Sequence, residues 1–212
     1  MSTLGVQRRT VGRLHVIVDT LELAKAALDG GAPVVQVRLK SGSDRRRFDL
    51  TRSIVDLCSG TGTVCLVNDR LDLALATGAD GVHLGAQDLP VAPARRLAPD
   101  GFVIGVSALG TTTPDVLAAI AEADQYVDYV GVGPVYATSS KPDIPTPMGE
   151  AVLAEIAGQC DIPLIAISGI TEQRVPAVLA AGVQGIAVIG AVSQAPEPAE
   201  AVARLQGMLA RD

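Results

Sequence analysis

Two aspartates carry the first chemical signal in this 212-residue sequence. Asp69 follows the apolar run at 64–67 across a single asparagine, Asn68, and Asp88 stands just past a second apolar run at 81–84 and Gly85. A pair of carboxylates delivered in this way suits a hard divalent cation. Mg²⁺ takes one or two protein carboxylates and fills its octahedron with water and phosphate oxygens. A third run closes in Gln36-Val37-Arg38-Leu39-Lys40, where alternation puts Gln36, Arg38 and Lys40 on one side. Cations on an inward face are costly without an anion beside them. An internal salt bridge to Asp69 or Asp88 is one such anion; a phosphate-rich ligand accounts for the cations and the carboxylates together. The two histidines, His15 and His83, lie within apolar runs and read as core side chains with satisfied hydrogen bonds, so a zinc site is not expected. Cys58, Cys65 and Cys160 form no CxxC pair and read as plain thiols of a reducing compartment.

Further along, GPVYATSSKP (133–142) brings Thr138, Ser139, Ser140 and Lys141 together: hydroxyls, backbone N–H groups and a cation. The Pro-rich stretch that follows, through 148, is long for a connection and suits a lid. SGIT (168–171) and GAVS (190–193) are small-residue turns that lead into helices, where N–H groups can point at an anion. Two anion sites emerge, one Mg²⁺-assisted for a polyphosphate and one for a monophosphate. That pairing suggests a transferase that joins two phosphorylated small molecules.

The elements that must hold these residues repeat. Eight short strand-like runs, at 14–18, 34–39, 64–67, 81–84, 102–106, 129–133, 163–167 and 185–189, alternate with Ala- and Leu-rich amphipathic stretches. Runs rich in Val and Ile read as strands buried on both faces of a parallel sheet. In LDGGAPVVQ, LATGADGVH and LAAGVQGIA a glycine just past a helix end can take the left-handed C-terminal position. Eight strand–helix units in this length predict a single TIM (β/α)8 barrel at residues 13–212 behind a tail at 1–12. A doubly wound open sheet would show a Gly-rich turn after the first strand, which here runs into Asp19-Thr20. In a barrel all strands end on one face, so Asp69 and Asp88 can converge there.

Composition narrows the partners. Net charge is −6, there are five aromatic residues and no Trp, and Arg45-Arg46-Arg47 sits between Asp44 and Asp49 as a solvated helix start. Nucleic acid is therefore not an expected partner. No apolar stretch reaches the ~18–20 residues of a membrane helix, and no apolar segment of a signal peptide follows the N-terminal arginines. A cytoplasmic, soluble enzyme is expected, with self-association left open.

The motifs QVRLK, VND, HLGAQD, GVSA, GPVYATSSK, ISGI and VIGAVSQAPEP, in this order from about Leu14, resemble the thiamine phosphate synthase family. The resemblance implies a TIM barrel that joins hydroxymethylpyrimidine diphosphate to thiazole phosphate, releasing pyrophosphate. It implies that Gln36, Arg38, Lys40, Asn68, Ser107 and Lys141 bind the pyrimidine diphosphate and that Asp69 and Asp88 hold Mg²⁺. It assigns Thr138, Ser139, Ser140, Gly169, Ile189 and Gly190 to the thiazole phosphate. Leu109 stands where the family commonly has His, and Gly190 where Ser is frequent; the link after Lys141 is longer than usual. Two alternatives stand beside this reading. A thiazole tautomerase typically lacks the Asn-Asp pair and uses a His where this chain has Pro134, and a non-catalytic phosphate-ligand sensor would bind without turnover.

Overall fold

The computed structural model describes residues 11–110, 112–138 and 146–210. Eight parallel strands close into a barrel in chain order: β1 (Leu14–Val18), β2 (Val34–Val37), β3 (Val64–Asn68), β4 (Gly81–Leu84), β5 (Val103–Leu109), β6 (Tyr129–Gly133), β7 (Leu164–Ile167) and β8 (Gly185–Val188). Around it run α1 (Leu21–Asp29), α2 (Asp44–Cys58), α3 (Leu71–Thr77), α4 (Val91–Leu97), α5 (Thr113–Ala123), α6 (Gly149–Ala157), α7 (Val175–Ala180), the one-turn α8 (Gly190–Ser193) and α9 (Pro198–Leu209). The TIM barrel expected from the repeats is the observed fold.

Period-two alternation divides every strand between two cores. Outward residues such as Val16, Val35, Val82, Ile104 and Ile186 pack under the helices, while Ile17, Val34, Leu66, Val103, Tyr129, Ile165 and Ala187 fill the lumen. Rings in so narrow a lumen require missing side chains opposite them. A Cβ on Gly105 would lie 2.1 Å from Tyr129 Cζ, and one on Gly131 would lie 3.1 Å from His83 Cε1. The three glycines expected to end helices do take positive φ: Gly31 at 78°, Gly78 at 72° and Gly182 at 89°. Each stops its helix without the steric penalty another residue would meet.

Two strand ends differ from the sequence expectation by more than one residue. β2 ends at Val37 rather than Leu39, although the Arg38 N–H still donates to Val18 O at 2.8 Å and so extends the ladder by one residue. β5 continues three residues beyond Val106 because Ser107, Ala108 and Leu109 pair with Gly131, Val132 and Gly133 of β6. That extension places Ser107 inside the barrel wall. At the opposite end Val11, expected in the tail, is buried with the lumen residues, and its carbonyl accepts from Gln184 Nε2 at 3.3 Å. Arg13 then ties the closure together, donating from Nε to Gln184 O at 2.8 Å and from Nη1 to Leu209 O at 2.6 Å. Among the described residues no helix is long and apolar enough to cross a membrane.

Candidate active site

The carboxylate pair forms where β3 and β4 end. Asp69 follows β3 with φ of 68°, in the left-handed region that Asp tolerates better than most residues. Its N–H donates to His83 O at 2.8 Å, which holds the turn onto β4. Asp88 reaches the same place from the loop after β4, its Oδ2 accepting the Gly85 N–H at 2.6 Å. The two carboxyl groups are in side-chain contact. Burial raises the Asp88 carboxyl above its ordinary value and the Asp69 charge adds to the rise, while the Gly85 N–H and Lys40 oppose it. Hard oxygens crowded to this degree are a donor set that a divalent cation would relieve.

The cations expected at the mouth are there. Lys40 Nζ lies 3.6 Å from Asp69 Oδ2, with its side chain 56% exposed. The salt bridge weighed from the sequence therefore exists, in a position open to a ligand. Arg38 is half-buried; desolvation lowers its pKa from the usual value, and Asp69 and Asp19 oppose that drop. Asp19, just past β1, is a third mouth carboxylate that the motifs did not single out.

Below the mouth the inward positions turn polar. Gln36 is buried in β2, Asn68 of β3 pairs in register with His83 of β4, and Ser107 follows on β5. His83 bonds on both ring nitrogens, Nε2 to Ser107 Oγ and Nδ1 to Tyr129 Oη, each at 2.9 Å. It also stacks on the Tyr129 ring at 5.5 Å, while His15 meets that ring edge-on at 4.8 Å and bonds Gly12 O at 3.1 Å through Nε2. Burial lowers the His15 pKa to about 3, helped by His83, and lowers His83 to about 4. Both rings are neutral at neutral pH, and burial raises the Tyr129 phenol far above its ordinary value. Each histidine is a satisfied lumen side chain, as expected, but His83 is also bonded to the site residue Ser107. The sequence signal for this was its inward phase on β4, one strand away from Ser107.

The second half of the site gathers at β7 and β8. The loop after β6 zips onto the loop after β7, with Val135 N–H donating to Ile167 O at 3.0 Å and Tyr136 N–H to Ser168 O at 3.1 Å. Gly169 has φ of 64°, and a Cβ there would lie 2.4 Å from Ala137 O, so this crossing needs glycine. Arg174 donates to Gly169 O at 2.6 Å and lies 4.2 Å over the Tyr136 ring, whose hydroxyl donates to Glu150 Oε1 at 2.6 Å. Ile189 and Gly190 open α8, whose first N–H groups have no partner within the helix. A Cβ on Gly190 would come no closer than 3.5 Å to Gln194, an ordinary contact. Thr138 is half-buried at the edge of this region. Ser139, Ser140 and Lys141, with residues 142–145 of the expected lid, lie outside the described residues.

The expected site residues that are described thus fall at the C-terminal ends of the strands, where a barrel of this kind carries its chemistry. A groove of about 650 Å³ at the other end, between Lys25, Asp29, Thr61 and Thr63, lacks such a cluster.

A family model described as thiamine monophosphate synthase matches residues 12–192. The chain is 43% identical to a thiamine-phosphate synthase from Salinispora arenicola, over 92% of this chain and 95% of that one. It is 45% identical to a thiamine-phosphate synthase from Methanoculleus marisnigri, over 88% and 85% respectively. A solved thiamine phosphate pyrophosphorylase from Pyrococcus furiosus superposes with a TM-score of 0.82 at 33% identity, covering 93% of this chain and 95% of that one.

Proposed function

Because the chain belongs to the thiamine monophosphate synthase family, we infer that it is a thiamine-phosphate synthase. In this reading it condenses 4-amino-2-methyl-5-hydroxymethylpyrimidine diphosphate with 4-methyl-5-(2-phosphooxyethyl)thiazole, giving thiamine phosphate and pyrophosphate. The observation that carries the reading is the contact of Asp69 and Asp88 beside Lys40 and Arg38 at the barrel mouth.

Gln36, Arg38, Lys40, Asn68, Ser107 and Lys141 bind the pyrimidine diphosphate. Asp69 and Asp88 hold Mg²⁺, which supplies charge neutralisation for the diphosphate when bound. Arg38, Lys40 and Lys141 take up the negative charge that grows on the leaving pyrophosphate. The bond between the pyrimidine methylene and the diphosphate oxygen breaks with both electrons going to oxygen, and the aminopyrimidine ring donates density to the methylene cation. The thiazole nitrogen then attacks that carbon. Thr138, Ser139, Ser140, Gly169, Ile189 and Gly190 hold the thiazole phosphate in line, and no protein nucleophile is required. The reaction belongs in the cytoplasm, on small phosphorylated substrates.

Pyrophosphate release by the purified protein tests the assignment. Release should require both substrates and Mg²⁺, and Asp69→Asn should reduce it at least about a hundredfold. Asparagine is the better probe than alanine because it tolerates the left-handed backbone at this position. Release without the thiazole phosphate, or undiminished by the substitution, would overturn the assignment.

A further inference from the structure

Tyr129, His83 and Ser107 come from three different strands, β6, β4 and β5, and meet in the lumen as one hydrogen-bonded chain. Their bonding capacities give the chain a direction. In the lumen Tyr129 is 1% exposed, and the acceptor that its hydroxyl meets is His83 Nδ1. A phenol has a single proton, and at this buried position that proton finds its acceptor in His83 Nδ1, 2.9 Å away; were Nδ1 to donate instead, the phenol proton would be buried unbonded. A neutral imidazole that accepts at Nδ1 carries its proton on Nε2. Nε2 therefore donates to Ser107 Oγ at 2.9 Å. Ser107 has then accepted from the barrel side and keeps its own proton for the mouth.

The reverse direction would make Ser107 donate inward and present only lone pairs to a diphosphate, like charge against like. The rings pack directly on Gly105 and Gly131, where a Cβ would lie 2.1 Å from Tyr129 Cζ and 3.1 Å from His83 Cε1. We propose that Tyr129 is a positioning residue for the reaction: it selects the Nε2–H tautomer of His83 and thereby keeps the Ser107 hydroxyl a donor to the diphosphate substrate. This rests on the assignment of Ser107 to the pyrimidine diphosphate.

Nitrogen NMR of the protein labelled with ¹⁵N-histidine reads the tautomer directly, and two histidines make the spectrum assignable with His83→Asn. In the wild type, His83 should show a protonated Nε2 and a bare Nδ1. Tyr129→Phe should abolish that single-tautomer signature and lower kcat/KM for the pyrimidine diphosphate roughly tenfold, the worth of one good hydrogen bond. In a Ser107→Ala background, Tyr129→Phe should cost nothing further, because its effect passes through that hydroxyl. A protonated Nδ1 in the wild type would overturn the proposal, and so would losses that multiply in the double variant. The wild-type spectrum needs neither substrate nor variant, so it decides the direction of the chain even if Tyr129→Phe fails to fold. Absence of turnover in the wild type would instead sink the synthase assignment, while the nitrogen shifts still judged the hydrogen-bond chain.

Discussion

Asp69 and Gly190 show how differently single residues serve the two halves of the mouth. Asp69 occupies a left-handed backbone that costs of order 1 kcal/mol for a residue with a Cβ, and the cost is borne where the carboxylate must turn toward Asp88. Gly190 is the converse, a glycine without a steric need, since an added Cβ would find 3.5 Å of room. Gly190→Ser should therefore fold normally and add a hydroxyl at the opening of α8. The KM for the thiazole phosphate should fall about two- to tenfold, read by steady-state kinetics, with kcat little changed. A rise in KM would mean that the ligand needs the space the glycine leaves. At this scale the carboxylates and cations were legible because polar residues interrupt apolar runs at strand ends. The bond between His83 and Tyr129 was not, because alternation tells which side chains point inward and not which of them meet across the lumen.

Strands and helices were legible wherever Val and Ile runs alternate with Ala and Leu segments. The last three residues of β5 were not, since Ser107-Ala108-Leu109 contains no β-branched residue and is held extended by its pairing with β6. Those residues matter because Ser107 would otherwise sit in a loop. The same two strands set a steric condition on each other through Gly105 and Tyr129. Gly105→Ala places a Cβ 2.1 Å from the ring and should destabilise the fold by about 1–3 kcal/mol, measured by urea unfolding. Combining it with Tyr129→Ala should recover part of that loss, because the clash is pairwise. Strictly additive losses would show that the ring is not what confines this position.

For the molecule as a whole, eight repeated units announced the barrel, but the plug at its base was hidden, since Val11 carries no periodic signal by itself. Its neighbour in that base, His15, has a consequence for pH. Folded His15 has a pKa near 3, against an ordinary value of 6.5, so below pH 6.5 the unfolded chain holds the extra proton. Stability is full above that pH and falls as pH drops toward the folded value. Between pH 6.5 and 5 the loss from His15 should be roughly 2 kcal/mol, with His83 acting in the same direction. Urea melts at pH 7 and 5 should show it, and His15→Gln should flatten the slope; an unchanged slope would remove His15 as the cause. The scarcity of aromatic residues has an optical counterpart. The chain has no tryptophan and three tyrosines, and two of these, Tyr129 and Tyr136, are bonded to His83 and Glu150 in the two halves of the site. Two of the three tyrosine emitters thus belong to the site itself, and a ligand that disturbs either hydroxyl should report its own arrival as a change in brightness.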